Sequence, residues 1–271
     1  MRAFSLVVCL FLCTCSVRLL AGQTQSSSTI ANASSAQALS ALQNSVFALT
    51  GNSAVNDVTL AGTAERIAGS DDETGTATYR ATASANRLDL NLSGGTRSEI
   101  RGPGADGLGG NWIAPDGAVH EIAPHNLLTG PGWFPLYSVS NLLSANTSVT
   151  YIGVESLNGS PAIHLKSSQT VQTNLPTATA ALLQHLTQID LYLDTSTLLP
   201  VALGYSVHPD GNATLDIPVT VAFSDYRTVG SLKIPFHVQQ YFSGSLLLDI
   251  QFQQASVNSG LSSSSAIFTI Q

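Results

Sequence analysis

From Val58 onward, apolar side chains recur at every second position, in run after run. Val58, Leu60, Gly62 and Ala64 alternate with Thr59, Ala61, Thr63 and Glu65. Ala77, Tyr79 and Ala81 alternate with Thr78, Arg80 and Thr82, and Leu88, Leu90 and Leu92 with Arg87, Asp89 and Asn91. A period of two with one apolar side marks half-buried antiparallel strands. "SDDETG" at 70–75 reads as the turn between the first two. The theme returns at 149–168 around Asn158-Gly159, a hairpin dipeptide. It continues through Ile189, Leu191 and Leu193, through Leu199 to Val207, and through Leu215, Ile217, Val219, Val221 and Phe223. Leu232, Ile234, Phe236, Val238 and Phe242 then share a face, with Lys233, Pro235, His237, Gln239 and Tyr241 opposite. "DYRTVGS" reads as the connection before them. Leu246, Leu248, Ile250 and Phe252 close the series.

Helical spacing is confined to three places. "SSAQALSALQNSVFALTG" opens on a Ser cap, stops at Gly51, and places Ala36, Leu39, Leu42, Val46 and Leu49 on one face. "LPTATAALLQHLTQ" predicts a helix with Ala178, Leu182 and Leu186 on one face, and a short helix is expected at 135–144. Between strands and helices, 102–146 is irregular. "GPGADGLGGN" reads as a flexible loop, and "WIAPDGAVHEI" as a hairpin over Pro-Asp-Gly. The fold class is therefore α+β: a strongly curved antiparallel sheet, an unclosed barrel, wrapped around two or three helices.

Composition adds a location. Charged residues are 10% of the chain and hydrophobic ones 44%, a polar but uncharged surface unlike that of an average globular domain. Met1-Arg2 followed by apolar Ala3–Val17 reads as a secretory signal peptide over 1–22, too short for a comfortable membrane span. Residues 23–34 read as a polar linker, and 35–271 as one domain with its irregular insertion at about 102–146. All three cysteines, Cys9, Cys13 and Cys15, fall in the leader, so neither disulfides nor a thiolate site are expected afterwards. Thr14 stands where a lipid-modified Cys15 would need a small residue, and no lipid anchor is expected. The net charge is −7, and loss of Arg2 and Arg18 with the leader makes it more negative. Such a surface does not suit nucleic acid. A periplasmic or secreted protein, without a stable membrane span after signal cleavage, is expected.

Three segments carry a resemblance: "ALSALQNSVFALTGNSAVNDVTLAGTA", "IDLYLDTSTLLPVAL" and "FSDYRTVGSLKIPFHVQQYFSGSLLLDIQF". Helix, Gly and first strand, then a strand with an Asp turn and a returning Leu-Pro strand, then three final strands, resemble the periplasmic lipoprotein carrier and receptor superfamily, the LolA/LolB-like fold. The resemblance implies an unclosed antiparallel barrel whose helices lid an apolar cavity for acyl chains. The chain departs from it in its length, mostly over 102–146, and in having no lipidated Cys. Fold alone does not confer the carrier function.

Catalytic fragments do not assemble. "LDTST" at 193–197 offers one Asp194 where an aspartic protease needs two facing carboxyls; a turn held by that Asp is expected. "HEIAPH" sets His120 and His125 five apart with Pro124 between, not four apart on a helix. "DDE" at 71–73 lacks alternating calcium-ligand spacing. No catalytic residue, metal ligand or cofactor is assigned. "GPGWFPLY" is different. Its Trp133, Phe134, Leu136 and Tyr137 form a bulky apolar cluster on a Gly/Pro-rich segment: a lid or plug if packed down, a contact patch if exposed. With Phe223, Phe236, Phe242 and Phe252 on the strand stripes, these are the candidate ligand-binding residues. The expected function is non-enzymatic binding or carriage of a lipid, lipoprotein acyl chain or other apolar ligand. The alternatives are an envelope-complex protein that recruits a protein partner and, more remotely, a hydrolase.

Overall fold

The computed structural model describes residues 34–105, 107–171 and 175–270. The expected signal peptide, most of the linker and the three cysteines lie outside the described residues.

The first helix, α1 (Ala36–Thr50), starts because Ser35 is extended and its hydroxyl accepts from the Ala38 N–H at 3.2 Å. It stops at Gly51, which takes the left-handed conformation at φ 56°. Its buried stripe is Ala38, Leu42, Ser45 and Leu49. The expected face was turned slightly. Ala36 is exposed, because it sits in the first turn on the far side from Leu42, and the small Ala38 and Ser45 pack instead.

Among the described residues, thirteen strands follow in a single sheet, all neighbours antiparallel. The first six are β1 (Asp57–Ala68), β2 (Asp71–Thr82), β3 (Asn86–Leu92), β4 (Gly95–Gly104), β5 (Gly107–Ile113) and β6 (Val119–Glu121). A 3-10 turn at Pro124–Leu127 and helix α2 (Pro135–Leu142) lead to β7 (Thr147–Leu157) and β8 (Ser160–Gln169). After α3 (Thr177–Leu186) come β9 (Ile189–Asp194), β10 (Pro200–Val207), β11 (Ile217–Val229), β12 (Leu232–Phe242) and β13 (Ser245–Val257). The spatial order is β6-β5-β4-β3-β2-β1-β13-β12-β11-β10-β9-β8-β7. The first and last strands pair at the middle, Val58 opposite Val257. β6 and β7 are the two edges, and the chain crosses from one to the other only through residues 122–146. The sheet is unclosed, as expected.

Asp57 locks the central seam. Its carboxylate accepts from the Ser259 N–H and hydroxyl at 2.9 and 2.7 Å, from Gly260 N–H at 2.9 Å and from Leu261 N–H at 3.1 Å. Burial alone would raise this carboxyl; these hydrogen bonds outweigh it and hold it below its usual range. The β7 edge is partly covered. Ser34 and Ser35 hydroxyls accept from Val149 N–H (3.0 Å) and Tyr151 N–H (3.2 Å), which blunts a free ladder.

Four expectations need correction. The turn at 70–75 is shorter: Gly69 and Ser70 make it, and Asp71–Gly75 already pair with β1. "GPGADGLGGN" is largely a hairpin rather than a loop, with Gly102 opposite Gly109 and Gly104 opposite Gly107. Glycine serves close approach there: a Cβ on Gly110 would lie 2.8 Å from the Leu127 side chain and 2.9 Å from that of Ile122. "DYRTV" belongs to β11, and the connection to β12 is only Gly230–Ser231. Asp225, at φ 49°, drops out of the ladder together with Phe236 opposite it, while the register on either side is unchanged, and the alternation of buried and exposed positions slips there. Finally, α3 forms but buries only Leu186. Among the described residues, the helices that cover the core are α1 and α2.

The inward stripes meet those two helices. Leu42 of α1, Leu60, Leu191, Leu193, Leu203, Ile234 and Ile250 are all fully buried. Leu42→Ala is expected to lower unfolding free energy by roughly 2–5 kcal/mol, the cost of a core cavity, read from urea titration. Leu182→Ala on the solvent side of α3 should stay within about 0.5 kcal/mol of the parent.

Candidate functional site

The crossover from β6 to β7 is held at its start by an arginine. β4 pairs Leu88 with Glu99 and Leu90 with Arg97, so Arg97, Glu99 and Arg101 share the concave face with those leucines. Arg101 donates Nε to Glu99 Oε1 (2.6 Å) and Nη1 to the carbonyls of Asn126 (2.8 Å) and Thr129 (2.9 Å). Asn126 in turn brackets His208 at the end of β10. Its Nδ2 donates to the His208 carbonyl at 2.8 Å, and its Oδ1 accepts from the His208 N–H at 2.9 Å.

Beyond this anchor the chain turns at Gly132, φ 62°, where a Cβ would meet Ser138 Oγ at 3.0 Å and Leu203 at 3.2 Å. Trp133 and Phe134 then drop into the concave face, and Pro135 begins α2 at a position that needs no N–H. Trp133, Phe134, Leu136, Val139 and Leu142 are buried. Phe134 meets the Tyr137 ring edge-on at 5.1 Å. The cluster is therefore packed down and is not an exposed patch.

Two cavities flank it. The larger, about 480 Å³, lies against Trp133, Phe134, Tyr137, Tyr79 and Leu203, with Thr82, Ser138, Asn141, Ser167 and Gln169 among its polar walls. The smaller, about 220 Å³, lies against Leu88, Leu90, Leu248, Gln240, Arg97 and again Trp133. The indole is thus common wall to both. Trp133 Nε1 and Tyr137 Oη are buried and have no hydrogen-bond partner. Such groups normally find one, so the larger cavity is walled by two residues with unspent donors. Burial, with the Asp57 charge second, pushes the Tyr137 phenol up to about 12, so it stays protonated and can donate.

The structure places the other named residues as follows. Leu136 is buried in α2 and lines neither cavity. Phe223, Phe236 and Phe252 are core residues and Phe242 is half-buried; none of the four lines either cavity. The inward charges escaped the sequence reading. Arg66, Glu73 and Arg97 form an ion cluster on the concave side, Arg66 Nη1 and Arg97 Nη2 lying 3.0 and 2.9 Å from Glu73 Oε2. Their signal was the alternation Arg97-Glu99-Arg101, one side of a strand with compensating signs. Ile100, on the other side, is buried on the convex face of β4, where the C-terminal turn carrying Phe268 packs.

The catalytic fragments stay apart. Asp194 Oδ1 accepts from the Ser196 and Thr197 hydroxyls and N–H groups at 2.6–3.0 Å, as a turn residue does. His120 stacks on Trp112 at 3.9 Å, while His125 lies against His208. On the convex face, Ser224 Oγ sits 3.1 Å from His237 Nδ1, and His237 Nε2 lies 3.0 Å from Asp249. Sequence reasoning had not assembled this nucleophile, base and carboxylate. Neither cavity touches them, and acyl transfer needs a pocket beside the nucleophile. Asp249 also accepts from Gln239 Nε2 at 2.6 Å, so the group is one part of a surface hydrogen-bond network.

With this geometry in view, the comparisons are of fold. No family model matches the sequence, and no curated protein matches it. Among solved structures, a domain named for outer membrane lipoprotein sorting, from Vibrio parahaemolyticus, superposes with a TM-score of 0.53 at 12% identity, over 83% of this chain and 94% of that one. A DUF1329 family protein from Desulfovibrio piger gives 0.50 at 10% identity, over 86% and 97%. A LolA superfamily protein from Nitrosomonas europaea gives 0.48 at 8% identity, over 82% and 94%. With the first two the chain shares its fold, which here is an open curved antiparallel sheet with helices in its concavity. Among the described residues, no helix is long and apolar enough to cross a membrane.

The Glu73 cluster makes a pH prediction. Hydrogen bonding to Arg97, and then to Arg66, holds the Glu73 carboxyl below its ordinary 4.5 against the opposing effect of burial. Its folded value lies below its unfolded one, so its contribution is present above about pH 4.5 and is lost as pH falls through the folded value. Glu73→Gln should flatten the fall in urea midpoint below pH 4.5 while lowering the midpoint at pH 7.

Proposed function

We propose that the protein is an exported, non-enzymatic binding or carrier protein for a lipid or acyl-bearing ligand. One observation carries this reading. The crossover seats Trp133, Phe134 and Tyr137 on the concave face yet leaves a cavity of about 480 Å³ beside them, within the usual range for ligand sites. The walls are mixed. Aromatic and aliphatic surface suits an acyl chain, while the unspent donors on Trp133 and Tyr137 and the Ser/Thr/Asn wall suit the acceptor oxygens of an ester or amide head. The LolA-like fold supports the reading, as does a leader-like N-terminus that fits a periplasmic or secreted location. The catalytic fragments, scattered and lining neither cavity, favour binding over turnover.

A second reading, recruitment of an envelope protein, is favoured by a separate observation. Ile152 and Val154 on edge strand β7, beyond the stretch that Ser34 and Ser35 cover, are about half exposed, at 47% and 55%, and an apolar edge strand can take another strand.

The test is native mass spectrometry of the exported protein, gently purified, followed by organic extraction and by titration with a fluorescent long-chain fatty acid. The expected result is a bound mass that extracts as lipid, and saturable probe binding that weakens at least tenfold in Trp133→Ala. A ligand-free mass together with no saturable probe binding would overturn the carrier reading. A stoichiometric protein adduct in its place would select the second one.

A further inference from the structure

Three chemistry-bearing side chains converge away from both cavities. His185 is in the last turn of α3, His208 follows β10, and Asp216 precedes β11. His185 Nε2 lies 3.0 Å and His208 Nε2 2.9 Å from the same oxygen, Asp216 Oδ1. All three ligand atoms fall within 4.8 Å of one another. From this convergence we infer that the protein binds one divalent transition-metal ion of the zinc class, through His185 Nε2, His208 Nε2 and the Asp216 carboxylate, with the fourth position open to solvent.

The distances suit such an ion. Zinc with ligands at about 2.0–2.1 Å in tetrahedral array sets them about 3.3 Å from each other. The two separations from Asp216 Oδ1 are a few tenths of an ångström shorter, a rotamer adjustment for the half-exposed side chains of His185 and Asp216. Two imidazoles and one carboxylate are the donor set of borderline metals. Calcium and magnesium, which want oxygen ligands, are not served by it.

A second observation is independent of these distances. The His208 side chain is 1% exposed, and its backbone is held on both sides by Asn126. His125 and His185 lie edge-on to its ring, at 6.0 and 5.7 Å between centroids. The ring nitrogen that meets a partner is Nε2, at Asp216, while Nδ1 is buried without a hydrogen-bond partner and lies outside the proposed ligand set. A ring fixed this firmly, with only the nitrogen facing Asp216 and His185 engaged, is a preorganised ligand; a ring placed merely for packing would not aim that nitrogen at a half-exposed carboxylate. The ion would tie the C-terminal end of α3 and the 208–216 loop to Asn126, and so to the base of the crossover.

The test uses untagged, exported full-length protein, stripped with a chelator. Zn²⁺ is titrated in competition with a chromophoric chelator, Co²⁺ binding is followed by visible absorption, and melting is recorded with and without Zn²⁺. One equivalent should bind, Co²⁺ should give intense tetrahedral bands, and Zn²⁺ should raise the melting temperature by mass action. His185→Gln and Asp216→Asn change half-exposed side chains, so the fold survives them. Each should weaken Zn²⁺ at least about tenfold, a loss seen even for groups one step removed from a metal, and abolish the shift in melting. His120→Gln, at the β6 edge, should change neither. Failure to bind one equivalent at micromolar Zn²⁺ would overturn the inference, as would binding that persists unchanged in both site variants.

Discussion

Thirteen strands present a nearly continuous apolar face on the concave side of one sheet, and that face must be removed from water. Closing the barrel would do it, but the strand order leaves β6 and β7 as separate edges. The cover is therefore supplied by the chain itself. α1 lies over the part near β12 and β7, and the crossover supplies the rest through Trp133, Phe134 and α2. Helix capping, the turn at Gly132 and the Arg101 anchor all place this cover. Because the cover is a single irregular segment between two edges, it fills the concavity incompletely. The cavities on either side of Trp133 are what remains.

The inward charges follow from the same constraint. A concave face this large is not apolar throughout, and Arg66, Glu73 and Arg97 lie where neither helix reaches. Each arginine would be costly there alone. Grouped about one carboxylate they satisfy one another, although Arg97 Nε still lacks a partner. Arg101 differs in what it does with its charge. It spends its donors on backbone carbonyls of the crossover, and so converts an inward charge into a fixed position for the lid.

Much of the sheet could be read from alternation alone, because strands with one wet face write their orientation into every second residue. Leu88, Leu90 and Leu92, or Ile234, Phe236 and Val238, leave no choice of face. Helix ends were legible for the same kind of reason: Ser35 and Gly51 do chemistry that few other residues do. Legibility failed where a residue's usual meaning was reversed. Glycines at 102–110 signal loops in general, but here allow a hairpin to lie close under Leu127 and Ile122. Apolar positions on α3 imply a buried face, yet the helix lies outside the core. Trp133, Phe134 and Tyr137 were singled out by their bulk on a Gly/Pro-rich stretch, and they do line the larger cavity. The strand phenylalanines were equally bulky but sit in the packed core. The His185–His208–Asp216 convergence joins the end of α3 to the loop between β10 and β11, and no compact ligand spacing announced it.

The central seam has a consequence for the order of assembly. β2 to β6 and β7 to β12 can each grow by adding a hairpin to its neighbour, with only local contacts. β1 cannot gain its second partner until β13 has been made, and Asp57 cannot gain its hydrogen bonds until Ser259, Gly260 and Leu261 exist. Val58 waits for Val257. Contacts of such separation form late and slowly. Until then the molecule is two half-sheets, each with an unprotected inner edge at the place where the finished protein is most secure. A chain delivered from its N-terminus would stay in that state until β13 and the three residues that bind Asp57 had arrived.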